Sequence, residues 1–116
     1  MRKMRWILGL FLVAVLFSAC AHSQEYYFGA YSTAETLYQT GKYEKAIGKY
    51  REYLNGSPQG NMAAIAQYYI GKSYMALNKT VDARTTFQLV VDRYPKTSWA
   101  NFSKTQIENL NGPAKA

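Results

Sequence analysis

Apolar positions recur on a helical period through most of this chain. Ala83, Phe87, Val90 and Val91 stand at i, i+4, i+7 and i+8, and Ala46, Tyr50, Tyr53 and Leu54 carry the same spacing thirty-seven residues earlier. A stripe of this kind lets a helix bury one face and wet the other. Breakers separate the stripes. Thr40-Gly41 and Asn78-Lys79 mark short turns, while Asn55-Gly56-Ser57-Pro58 and Tyr94-Pro95-Lys96-Thr97 end the second helix of each pair. The pattern predicts five helices, near 25–40, 43–55, 60–77, 80–93 and 97–110. The same slide of thirty-seven residues superposes Pro58 on Pro95, Ala63 on Ala100 and Ile70 on Ile107. A fixed period in this range marks stacked helical pairs, so the expected fold is all-α: a short solenoid of two antiparallel pairs and a closing helix.

These residues resemble the tetratricopeptide repeat, in which small residues sit at the close crossing of two helices and large ones fill the holes beside it. The second unit carries Ile70-Gly71 and Tyr74 on its first helix, then Ala83, Phe87, Val90 and Pro95. The first unit keeps Ala34, Ala46, Tyr50 and Pro58, with Ala30, Thr33 and Leu37 in place of larger or more typical residues. The tryptophan of the family pattern is missing from both, and Gln67 takes its place in the second. The period exceeds the family's usual length by three residues around Asn61-Met62-Ala63, which places the start of that helix one turn early. The stamp Gly41-Lys42-Tyr43-Glu44-Lys45-Ala46-Ile47, a tyrosine-rich helix and Tyr94-Pro95 are similar to repeats of bacterial envelope proteins. The resemblance is to the outer-membrane lipoprotein of the β-barrel assembly machine and the C-terminal domain of the periplasmic Tol-Pal partner, over roughly residues 26–110. The chain has fewer units than the former and lacks the coiled coil of the latter.

The first residues read differently. Met1-Arg2-Lys3-Met4-Arg5 is basic, Trp6 to Phe17 is apolar and too short to span a bilayer comfortably, and Leu16-Phe17-Ser18-Ala19-Cys20 resembles a lipobox. The expected division is a signal peptide over 1–19, a lipidated Cys20 with a short tether over 20–25, a helical domain over 26–110 and a disordered tail over 111–116. Phe17 departs from the leucine preferred at its position, and Ala19-Cys20-Ala21 also fits ordinary signal cleavage, which would release a soluble periplasmic protein. Ala21, where an aspartate would retain the protein at the inner membrane, resembles the sorting signal for the outer membrane. Each buried acyl methylene adds about 0.8 kcal/mol to anchoring. Four tether residues reach about 14 Å at most, which confines a lipidated form to its own membrane surface.

The whole chain carries a formal charge of +7, of which Arg2, Lys3 and Arg5 of the leader supply three, and no run of like charge follows. That mild excess does not indicate nucleic-acid binding. Catalytic groups are sparse. His22 is the one histidine, Cys20 the one cysteine, and the seven carboxylates are spread singly along helices, without a metal-ligand spacing. Glu44, Glu52 and Asp82 are expected to face water or to pair with Lys45, Lys49 or Arg51. Gly41, Gly56 and Gly60 are turn formers, and the sequons at Asn78 and Asn101 are coincidental in an envelope protein. No enzyme activity, metal, small-molecule substrate or cofactor is expected beyond a covalent lipid on Cys20.

The resemblance also implies a binding face. First helices of such pairs line a concave surface, which here would display Phe28, Tyr31, Glu35 and Tyr38, then Ile65, Tyr68, Lys72 and Met75, then Phe102. These are mostly apolar or aromatic residues with one acid and one base, suited to burying hydrophobic anchors and fixing register with few polar groups. Mutual packing of Phe28, Ile65 and Phe102 is the competing expectation. The eleven tyrosines fit both helix packing and a binding surface. The implied partner is a protein in a membrane-associated complex, with a second copy as the other way to cover the ends of so short a stack.

Overall fold

A computed structural model describes residues 28–112, and the leader, Cys20, His22, the tether and the tail beyond Gly112 lie outside the described residues. Within them five helices follow one another: α1, whose described part is 28–39, α2 at Tyr43–Gly56, α3 at Asn61–Ala76, α4 at Thr80–Arg93 and α5 at Ser98–Asn111. The early start of α3 is observed, and α5 begins one period later.

The chain reverses twice by the same device. At the end of α1, Lys42 N donates to Leu37 O at 2.8 Å and Gly41 N to Tyr38 O at 3.1 Å; at the end of α3, Lys79 N donates to Tyr74 O at 2.9 Å and Asn78 N to Met75 O at 3.0 Å. This is the Schellman pair of bonds, and it requires a left-handed residue after the helix. Gly41 and Asn78 supply it with φ of 77° and 59°. Glycine adopts that conformation freely and asparagine more readily than other side chains. The longer loops also match. Gly60 at φ 94° precedes α3, and one period on Thr97 precedes α5, its hydroxyl accepting from Ala100 N at 3.3 Å. The hydroxyl of Tyr94 donates to Pro58 O at 2.7 Å and ties the two loops together.

Two hydrophobic clusters share α3. One gathers Ala30, Tyr31 and Ala34 of α1, Ala46, Ile47, Tyr50 and Tyr53 of α2, and Ala66 and Ile70 of α3. The other gathers Ala63, Ala64 and Tyr68 of α3 with Ala83, Phe87 and Val90 of α4 and Tyr94. Leu54, Tyr69 and Tyr74 pack against both, so the solenoid has one continuous interior. Equivalent positions are buried alike: Ala46 and Ala83, Tyr50 and Phe87, Ala63 and Ala100. A close approach lies between α3 and α4, where a Cβ built on Gly71 would stand 2.7 Å from Cε1 of Phe87. In the first pair the corresponding positions hold Ala34 and Tyr50.

Polar groups adapt to this packing with two exceptions, one of which is the buried Nε of Arg84, which has no partner. Ser73 and Thr86 are buried but donate to Tyr69 O at 2.8 Å and Asp82 O at 2.7 Å, whereas the buried Ser103 hydroxyl has no partner. Lys49 pairs with Glu52 at 2.9 Å as the sequence suggested. Arg51 turns instead to Tyr74, donating to its hydroxyl at 2.6 Å with the guanidinium 6.0 Å from the ring centroid.

Three substitutions test this packing by urea unfolding. Gly71→Ala should cost about 1–3 kcal/mol, because the Phe87 ring cannot move aside in a filled core. Gly48→Ala, in an open helical position, should instead gain up to about 1 kcal/mol. Ser103→Ala should gain about 1 kcal/mol by removing a buried, unpaired hydroxyl, as the alanine at the equivalent position, Ala66, suggests.

Candidate partner-binding face

The first helices of the pairs lie side by side, and rings join them. Tyr38 of α1 meets Tyr69 of α3 at 5.0 Å between ring centroids, Tyr69 meets Trp99 of α5 at 6.3 Å, and Trp99 meets Phe102 at 5.4 Å. Most of these contacts are edge-on or tilted, the geometry that aromatic quadrupoles favour. A second row supports the first. Tyr50 stacks on Tyr69 at 6.2 Å, Tyr31 stands edge-on to Tyr50 at 5.8 Å, and Tyr68 touches Trp99 at 5.2 Å and Phe102 at 6.4 Å.

Of the nine residues that the repeat register puts on this face, the structure separates floor from surface. Tyr31 and Tyr68 are only 7% and 8% exposed and belong to the two core clusters, so they form the floor and offer little area to a partner. Tyr38, Ile65, Lys72 and Met75 are half-buried, Glu35 is exposed, and Phe28 and Phe102 are exposed by 61% and 50%. Phe102 packs on Tyr68 and Trp99 while keeping half its surface open.

Two residues absent from that register, Tyr69 and Trp99, are the joints of the strip. Both are half-buried. A signal for them was available, because Ile65, Tyr69 and Lys72 fall at i, i+4 and i+7, and Trp99 and Phe102 at i and i+3, which place each set on one helical face.

Burial holds Tyr31, Tyr38 and Tyr68 of this face in the protonated form. Burial, and after it the Glu35 carboxylate, pushes the Tyr31 phenol up to about 12. Burial likewise raises Tyr50, Tyr38 and Tyr68, against which the hydrogen bond from Gln106 works in the case of Tyr68. The face therefore offers ring surface and uncharged hydroxyls, with Lys72 and Glu35 as its ionic groups. Among the described residues no group of three or more His, Cys, Asp or Glu could hold a metal ion. No helix in that set is long and apolar enough to cross a membrane.

Residues 65–97 match the family model of the tetratricopeptide repeat. The matched stretch runs from Ile65 in α3 through all of α4 to Thr97, which is the second helical pair. No curated protein matches the chain. With the packing above, the match supports a short tetratricopeptide-like solenoid, an architecture used for protein–protein interaction.

The buried phenols set an alkaline limit on stability. Their folded pKa values lie above the ordinary value near 10, so the stability they confer is whole below about pH 10 and falls as the pH rises toward about 12. Replacing Tyr31 and Tyr50 together by phenylalanine should move the midpoint of alkaline unfolding, followed by circular dichroism, to higher pH. The late rise of tyrosinate absorbance should shrink with it.

Proposed function

We propose that this chain is a non-enzymatic scaffold of the bacterial cell envelope, anchored at the outer membrane through a lipid on Cys20. Its aromatic strip seats a segment of a partner protein. The observation that carries this reading is the row Tyr38, Tyr69, Trp99 and Phe102, which spans three helices and is backed by buried rings. Rings held by a second row lose little conformational freedom on binding, and aromatic residues of this kind dominate the energy of protein interfaces. The basic and apolar leader ending at Cys20 supports the anchor, and the short tether keeps the domain close to its membrane. Both features suit an accessory subunit of a membrane-associated assembly such as β-barrel assembly, secretin or pilus assembly, or a Tol-Pal-like complex. The alternative cut at Ala19-Cys20-Ala21 would give a soluble periplasmic peptide-binding or cell-wall cofactor protein with the same face.

Intact mass of the mature protein separates the two forms, because only the lipoprotein retains Cys20 and carries acyl chains. A photoreactive aromatic at Phe102, irradiated in the native host, should give one dominant adduct with a subunit of a membrane complex, and the same group at Lys45 on α2 should not. Phe102→Ala should then weaken that complex by about 2 kcal/mol, roughly thirty-fold in Kd. Equal adducts from both positions would remove the face from consideration.

A further inference from the structure

The two ends of the solenoid differ in charge. Because the turns after α1 and α3 are tight reversals, the first residues of α1, α3 and α5 lie at one end with the last residues of α2 and α4. Contacts fix that placement: Tyr31 of α1 meets Tyr53 of α2 at 5.1 Å between ring centroids, and the bond from Tyr94 to Pro58 sets the loop 57–60 against the loop 94–97. From this end the first helices run without a charged residue over 28–34, 61–71 and 98–103. Phe28, Pro58 and Pro95 are exposed there. Among the described residues the charges around them are Arg93 and Lys96, both exposed and both basic; the nearest acids, Glu52 and Asp92, already accept from Lys49 and Gln88 at 2.9 Å each. The opposite end mixes signs, with Lys42, Glu44 and Lys45 at the turn into α2 and Lys79 and Asp82 at the turn into α4.

The described residues begin at Phe28, eight positions after Cys20, a stretch of about 28 Å when fully extended. A helix of the length of α3 measures about 24 Å. Such a tether holds the domain near its membrane but leaves it able to turn over, so tether length by itself selects neither end. The chemistry of the two ends does. Apolar and uncharged side chains enter a lipid headgroup layer without stripping water from an ion, and basic residues at the rim of the contact are drawn to anionic lipids. The opposite end would press Glu44 and Asp82 against the same negative surface.

We infer that the end formed by the start of α1 and the loops 57–60 and 94–97 rests on the lipid surface, with the Phe28 ring in the headgroup layer and Arg93 and Lys96 on lipid phosphates. This rests on the reading of Cys20 as the anchor. Phe28 belongs to the first helical pair and Lys96 to the loop before α5, so the two contacts stand at opposite sides of the same end and define a plane. One ring and two cations would not hold a free protein on a membrane. The anchor changes that, because tethering raises the effective concentration of the surface to the order of millimolar, and a weak contact then suffices to orient the domain. In this orientation α1, α3 and α5 point away from the membrane. The strip that starts at Tyr38, far along α1, and reaches Trp99 in the first turn of α5 then descends to the lipid surface, where a membrane-embedded partner begins.

The test uses the lipidated mature chain in vesicles of phosphatidylethanolamine and phosphatidylglycerol, after intact mass and flotation have established the anchor. A fluorophore is attached through Gln59→Cys at the proposed end or Thr40→Cys at the other, both exposed positions, and a quencher is carried on the lipid headgroup. Quenching should be about three-fold stronger at 59 than at 40, because a helix length separates the two. Phe28→Ser should bring the two positions toward equality, and so should Arg93→Glu with Lys96→Glu. Omitting phosphatidylglycerol should weaken the contrast in the native chain but not in the charge-reversed one. Equal quenching at both positions in a chain that floats with the vesicles would overturn this proposal and leave the anchor standing. A chain without acyl mass that does not float would remove the anchor and the proposal with it. Shielding of position 59 in native envelopes but not in vesicles would also overturn it, by assigning that end to a partner protein.

Discussion

Two helices can approach closely only where a small side chain on one meets a ring on the other, and the rest of this structure depends on that constraint. At Gly71 the space a methyl group would take is occupied by Phe87, and Ala34 with Tyr50 holds the corresponding place one period earlier. The close crossing brings the two helices of a pair together and lets α3 serve both clusters, through Ala66 and Ile70 on one side and Ala63, Ala64 and Tyr68 on the other. Because α3 is committed on two sides, its remaining surface is narrow. That surface holds Ile65, Tyr69 and Lys72, so the packing that builds the core also determines which residues are left for a partner.

Tyrosine suits this arrangement chemically. A phenylalanine at every ring position would leave a broad greasy surface wherever packing is incomplete, whereas a phenol can bury its ring and keep a hydroxyl available. The hydroxyl of Tyr94 joins two loops, that of Tyr74 receives Arg51, and that of Tyr68 receives Gln106. Burial raises the pKa of several phenols, so their hydroxyls stay protonated and can be held between rings without the cost of a buried charge.

The helices and their pairing were legible in the sequence because local signals agreed. Stripes at i, i+4 and i+7 fell between Gly41, Pro58, Asn78 and Pro95, and the observed boundaries coincide with the expected ones for α4 and lie within one residue of them for α2, α3 and α5. The face was only half legible. Positions 65, 68, 72 and 75 and positions 65, 69 and 72 are both acceptable helical stripes, separated by less than a third of a turn. Burial against α4 and α5 decides between Tyr68 and Tyr69, and that is a tertiary fact. The same holds for Arg51, whose partner, the Tyr74 ring and hydroxyl, lies on the next helix.

The aromatic strip ends on α5. That helix gives Trp99 and Phe102 to the strip, yet its fully buried residues are Ala100 and Ser103, both small and one with an unpaired hydroxyl. By comparison α3 buries eight residues. What fastens α5 is instead half-buried: Trp99, Ile107 and Leu110 pack on the second cluster while part of each stays open, so the same side chains serve the core and supply surface.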